Sequence, residues 1–151
     1  MSDQHATRAA IEEVLMRYAT AIDTKNWELF RTCFIDDAAL DYGAIGQWTD
    51  SAGVTDFMAA AHEGMSDTKH MLHNMVIDLV DDRHATAVTY VHTVQRLAAD
   101  PKQWIDGVGQ YADEFVRTSQ GWRISRRTYT ETRLMSSFDF MPSGTNIFEG
   151  S

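Results

Sequence analysis

The chain has 151 residues, 44% of them apolar and 23% charged, which suits one domain with a substantial core and leaves too little length for two. A formal net charge of −9 makes a phosphate backbone a poor partner, and the single cysteine, Cys33, excludes an intrachain disulfide. The amino terminus has no apolar leader-like stretch, and no run approaches the roughly 18 apolar residues of a bilayer span, so the sequence predicts a cytoplasmic protein with no membrane or nucleic-acid partner.

Residues 6–24 predict an amphipathic helix. Ile11, Val14, Leu15, Tyr18 and Ile22 fall at spacings that place them in one apolar stripe. A second helix is expected over Asn26–Phe34, where Trp27, Phe30 and Phe34 recur at helical spacing. A short strand over Ala38–Tyr42 follows, then an irregular turn marked by Gly43 and Gly46. Asp50–Ala61 predicts a third helix, capped by Asp50 or Ser51.

From His70 the character changes. His70–Val80, His84–Ala98, Gln103–Thr118 and Trp122–Leu134 are rich in Val, Ile, Thr, Tyr and Trp, and short turn sequences separate them. Such connections predict an antiparallel meander, with Gly107 and Gly109 as places for a bulge. Helices first and strands afterwards predict an α+β domain, with helices packed on a strongly curved mixed or antiparallel sheet that encloses a pocket. The expected domain covers 1–151, with a core at 8–134 and a tail at 135–151. Phe138, Phe140, Met141, Ile147 and Phe148 make that tail apolar, which suggests docking on its own pocket or on a neighbouring subunit. Met71, Met75, Ile77 and Leu79 alternate with His70 and predict an apolar outer sheet face, hence a homodimer or homotrimer.

Several chemistries find no support. There is no Gly-rich phosphate loop and no nucleophile elbow. His70 and His73 are three residues apart on a strand and point to opposite faces, so they make no metal pair. Tyr18 falls inside the apolar stripe, so its hydroxyl needs a buried partner, either a substrate oxygen or a backbone group. Tyr42, at a strand end, is in the same position. His92, Arg127 and Tyr129 lie on later strands where a pocket wall would run, and Trp48 and Phe57 are candidate pocket aromatics. By alternation Asn74 shares the face of His70.

Four stretches carry a family resemblance: RAAIEEVLMRYATAIDTK, FIDDA, TKHMLHN and GQYADEFVRTSQGWRIS. In this order and at these separations the chain resembles the SnoaL-like branch of the nuclear transport factor 2-like superfamily, above all scytalone dehydratase and hexachlorocyclohexane dehydrochlorinase. The resemblance implies a cone-shaped fold and a cofactor-independent lyase. It also implies a catalytic pair formed by Asp23, at the end of the first helix, and His70, at the start of the long strands, with Asn74 in the dehydrochlorinase's His-x-x-x-Asn spacing. Helical periodicity alone does not turn Asp23 inward, since it lies roughly 120° from the centre of the apolar stripe.

Tyr18 and Tyr42 correspond to tyrosines that hold a water against the substrate carbonyl in scytalone dehydratase, and His92 or Gln95 to its second histidine. Two positions depart from the dehydrochlorinase: Tyr18 replaces a lysine and Leu40 a tryptophan, so its halide chemistry does not carry over. The expected function is dehydration or elimination on a small cyclic or aromatic apolar molecule, with His70 as base, Asp23 as its partner, and no cofactor or metal. An isomerase or cyclase using the same pocket is the alternative. A non-catalytic ligand-binding or assembly module is the other, and would leave Asp23 and His70 more than about 6 Å apart.

Overall fold

The computed structural model describes residues 3–139. Helix α1 (Gln4–Asp23) begins at Asp3, whose carboxylate accepts from the His5 amide, and buries Ile11, Val14, Leu15, Tyr18 and Ile22, the stripe read from the sequence. Fully burying an aliphatic or aromatic side chain of this size contributes about 1.5–3 kcal/mol, so the stripe fixes the roll of the helix. The end of α1 is set as firmly. Lys25 takes a left-handed conformation (φ 55°), the Asn26 amide bonds the Ala21 carbonyl at 2.8 Å and the Lys25 amide bonds that of Ile22 at 3.2 Å. This double closure stops the helix at Asp23.

Helix α2 (Trp27–Arg31) is shorter than expected, because the chain leaves it by a turn at Thr32 and enters strand β1 (Phe34–Asp41). A 3₁₀ turn (Gly43–Ile45) leads to a two-residue strand β2 (Gln47–Trp48), which the sequence did not indicate, and then to α3 (Ser51–His62). Asp50 caps α3 by accepting from the Gly53 amide at 2.6 Å. Asp50→Ala should cost about 1 kcal/mol, read as a lower chemical-denaturation midpoint with an unchanged slope.

Strands β3 (Met65–Leu79), β4 (His84–Leu97), β5 (Trp104–Thr118) and β6 (Gly121–Ser136) form the antiparallel meander. Strand β3 starts five residues before the predicted His70. Strand β1 runs parallel to β6, so the six-stranded sheet is mixed, in the order β2-β1-β6-β5-β4-β3. The inner face, covered by α1, carries Leu72, Ile77, Ala87, Val91, Tyr111, Phe115, Ile124 and Tyr129.

Two departures in register matter for the site. A bulge lies between His73 and Val76, with Asn74 in the left-handed region (φ 48°). It reverses the facing of the second half of β3. Ile77 and Leu79 pair with Ala87 and Ala85 and point into the core, which corrects the expectation of an outer row running through all four apolar residues. A second shift lies beside Gly109, where a bulge was expected. A Cβ there would sit 2.6 Å from the Tyr129 ring and 2.4 Å from the Thr130 carbonyl, so glycine permits this close approach.

The tail residues Phe140, Met141, Ile147 and Phe148 lie outside the described residues. Among the described residues no helix is long and apolar enough to cross a membrane.

Candidate active site

The end of α1 and the start of β3 are held together at two points. The Lys25 ammonium donates to the Met65 carbonyl at 2.6 Å, and the Asp23 carboxylate accepts from the His70 backbone amide at 2.9 and 3.1 Å. Nδ1 of His70 lies 2.7 Å from Asp23 Oδ1. An ionised carboxylate only accepts, so Nδ1 carries the proton and Nε2 carries the free lone pair. Side-chain exposure is 7% for His70 and 16% for Asp23, which places the pair in a largely dry setting. No described residue makes a hydrogen bond to Nε2, so the atom able to take a proton is left open. On the flank of α1 that leads to Asp23, Met16 is 47% exposed while Ala19, one turn before Asp23, is buried; Asp23 reaches the site where β3 passes the helix end.

Beside this pair lies an aromatic cluster. The Tyr18 ring meets the His70 ring edge-on at 6.4 Å, and the Tyr18 and Tyr42 hydroxyls are 3.0 Å apart, both residues buried. Burial pushes both phenols well above their ordinary pKa, so they remain neutral. Arg127 lies behind them. Its guanidinium is stacked 4.2 Å from the Tyr18 ring centre and 3.8 Å from that of Tyr111, and it grips Asp113 through two hydrogen bonds of 2.7 and 2.9 Å. Burial pushes the Asp113 carboxyl up, opposed by the adjacent guanidinium. The two-point geometry is that of an ionised pair.

The remaining candidates divide by face. Tyr129 is on the inner face, its ring 6.2 Å from that of Tyr42 and 5.6 Å from that of Tyr111. Trp48 packs between Tyr42 and Phe57 at 5.9 and 4.8 Å. Arg127 is wholly buried against Asp113, so it supports the tyrosines rather than lining an open surface, contrary to its expected place among ligand-contacting residues. His92 pairs with Met71 on the outer face, whereas Gln95, three residues on, shares the inner face with Thr68. Asn74 sits in the bulge and is exposed, away from the face expected by simple alternation. A groove of about 310 Å³ lined by Asp67, Lys69, Val94, Gln95, Arg96, Trp104 and Asp106 lies along the β3–β4–β5 end of the sheet, and most of these residues belong to the face opposite that of His70.

Residues 3–128 match the model of the SnoaL-like domain. The chain belongs to that family. A curated relative, an uncharacterized protein of Mycobacterium tuberculosis, is 30% identical over 134 residues, 82% of this chain and 84% of the relative. Among solved structures, a scytalone dehydratase-like protein of Novosphingobium aromaticivorans is 21% identical with TM-score 0.81, covering 87% of this chain and 88% of its own. The hexachlorocyclohexane dehydrochlorinase of Novosphingobium barchaimii is 20% identical with TM-score 0.78, covering 92% and 97%. A nuclear transport factor 2-like superfamily protein of Salmonella enterica is 17% identical with TM-score 0.77, covering 99% and 100%. These three likenesses place the SnoaL-like domain in the nuclear transport factor 2-like fold, as the sequence motifs implied. Two of these neighbours bear the names of a dehydratase and a dehydrochlorinase.

One residue of this SnoaL-like domain escaped the sequence reading. His62, the last residue of α3, is buried, and its ring centre lies 6.3 Å from that of His70 and 5.7 Å from that of Trp27. Val54, Met58 and His62 share one face of α3 at four-residue spacing, the signal that would have flagged it. Nδ1 of His62 lies 2.8 Å from the Met58 carbonyl and so bears the proton, which turns Nε2 toward Gln95 at 3.4 Å.

Burial lowers the pKa of His62 from its ordinary 6.5, outweighing the hydrogen bond to the Met58 carbonyl, which acts the other way. The folded state then binds fewer protons than the unfolded chain, so stability is full above pH 6.5 and declines as pH falls through that value toward the folded pKa. The melting temperature should therefore fall with acidification from about pH 7, and the fall should be shallower in His62→Gln.

Among the described residues no group of three or more His, Cys, Asp or Glu is placed to hold a metal ion.

Proposed function

We propose that this protein is a cofactor-independent lyase of the dehydratase or elimination type, acting on a small cyclic or aromatic apolar substrate. The observation that carries the reading is the 2.7 Å contact between Asp23 Oδ1 and His70 Nδ1, with the His70 Nε2 lone pair open beside neutral tyrosines. Nε2 takes a proton from a carbon next to an electron-withdrawing group, and the electron pair of that C–H bond forms the new double bond. The leaving group departs from the neighbouring carbon with its own bonding pair. A departing hydroxide recovers a proton from Nε2–H and leaves as water, returning His70 to its starting state. Asp23 holds the tautomer and offsets the positive charge that His70 gains.

Of the Tyr18 and Tyr42 phenols, kept neutral by burial, one donates to the other, and the proton left over polarises the activating carbonyl. A binding or assembly module without catalysis has no need of such a pair, and the 2.7 Å separation lies well within the limit of about 6 Å set by that alternative. The test is a screen of alicyclic and aromatic ketones and alcohols, following loss of water by mass spectrometry. An unsaturated product that forms with wild type and not with His70→Ala supports the reading. Equal product with both proteins sinks it.

A further inference from the structure

We propose that His62, Gln95 and Thr68 form a hydroxyl-binding subsite next to the Asp23–His70 pair, so that the substrate carries a ring hydroxyl in addition to the carbon that His70 deprotonates. The proposal rests on the general-base reading above and adds a chemical class to it.

Three observations converge on one end of the inner face. The His62 Nδ1–H is committed to the Met58 carbonyl, so Nε2 can only accept a hydrogen bond. Its one described polar neighbour is the Gln95 amide nitrogen, whose 3.4 Å separation is at the long limit of a hydrogen bond. Thr68, directly across from Gln95 on β3, is 3% exposed, and its hydroxyl has no hydrogen-bond partner among the described residues. Buried polar groups are nearly always paired, so an acceptor, an amide donor and an unpartnered hydroxyl side by side constitute an unmet demand.

A substrate hydroxyl meets it well. It donates to His62 Nε2 and accepts from the Gln95 amide or the Thr68 hydroxyl. The location suits a ring substrate, because the His62 and His70 rings are 6.3 Å apart. A molecule with its reacting carbon at His70 Nε2 therefore reaches the subsite with a substituent on the same ring. An ether oxygen at that place has no proton for Nε2, so methylation of the hydroxyl should be penalised.

The test is calorimetric titration of the full chain with 4-ethylphenol, 4-ethylanisole and ethylbenzene. Wild type and His70→Ala should both bind the phenol about tenfold or more tightly than the anisole or ethylbenzene. That preference should vanish in His62→Leu and in His62→Phe, and the second variant decides the matter if the first does not fold. Equal affinities for phenol and anisole in wild type, or a preference that survives in a folded His62 variant, overturns the subsite. The general-base reading fails separately, through turnover that persists in His70→Ala whatever the binding preference.

Discussion

His70→Ala should lower turnover by about 10²–10⁴-fold while leaving the melting temperature close to that of wild type, since general-base catalysis contributes on that scale. The fold should tolerate the change because one of the two Asp23–His70 links is to the His70 backbone amide, which alanine retains. Asp23→Asn is the informative companion. An asparagine can still accept from that amide, but it carries no charge to offset the imidazolium. It should lose turnover by a similar factor and leave substrate affinity nearly unchanged, because the missing interaction strengthens only as the proton moves. Steady-state kinetics on any substrate found by the dehydration screen checks both. A large rise in KM with kcat preserved in Asp23→Asn would assign the carboxylate to binding.

The largest effect on stability is expected at the Arg127–Asp113 pair. Both side chains are fully buried, and removing one partner leaves an uncompensated charge in the core. Asp113→Ala should destabilise by about 3–5 kcal/mol. The double variant Asp113→Leu with Arg127→Met should recover most of that loss, because a buried ion pair exchanged for apolar groups of similar volume is often close to neutral. Denaturant unfolding of the two single variants and the double variant measures the coupling. The double variant should nonetheless be catalytically impaired if the guanidinium stacked on Tyr18 and Tyr111 sets the tyrosine positions. Recovery of stability without recovery of kcat would identify Arg127 as a positioning residue.

The elements that could be read from the sequence are those whose burial is one-sided. Every residue of the predicted α1 stripe is in the core, and the alternation of the four long segments located the meander. What could not be read depends on partners distant in sequence. The inward turn of Asp23 follows from the helix closure at Lys25 and from β3 running past it, and neither is a property of the α1 periodicity. The facing of His92 against Gln95 depends on strand register, and the bulge at Asn74 is fixed by pairing with β4. Arg127 was visible as a charged residue in a strand, but its partner Asp113 lies across the β5–β6 pairing and had no sequence mark. His62 was missed for a simpler reason: the predicted helix ended one residue short of it.

The bulge at Asn74 divides β3 into two functionally separate lengths. On the near side, Thr68, His70 and Leu72 turn toward the helix end and the candidate chemistry; on the far side, Ile77 and Leu79 belong to the packed interior. The extra residue acts as a parity switch between them. Strict alternation over the same residues, without the bulge, would send Ile77 and Leu79 out to solvent and bring Val76 and Asp78 inward while His70 kept its place; removing the extra residue together with the bulge would leave both paired with β4 as they are. Evolution of this strand is thus constrained in phase as well as in composition. A change of one residue between His70 and Ile77 must therefore be matched by the gain or loss of a bulge, whereas an even change keeps the phase without one.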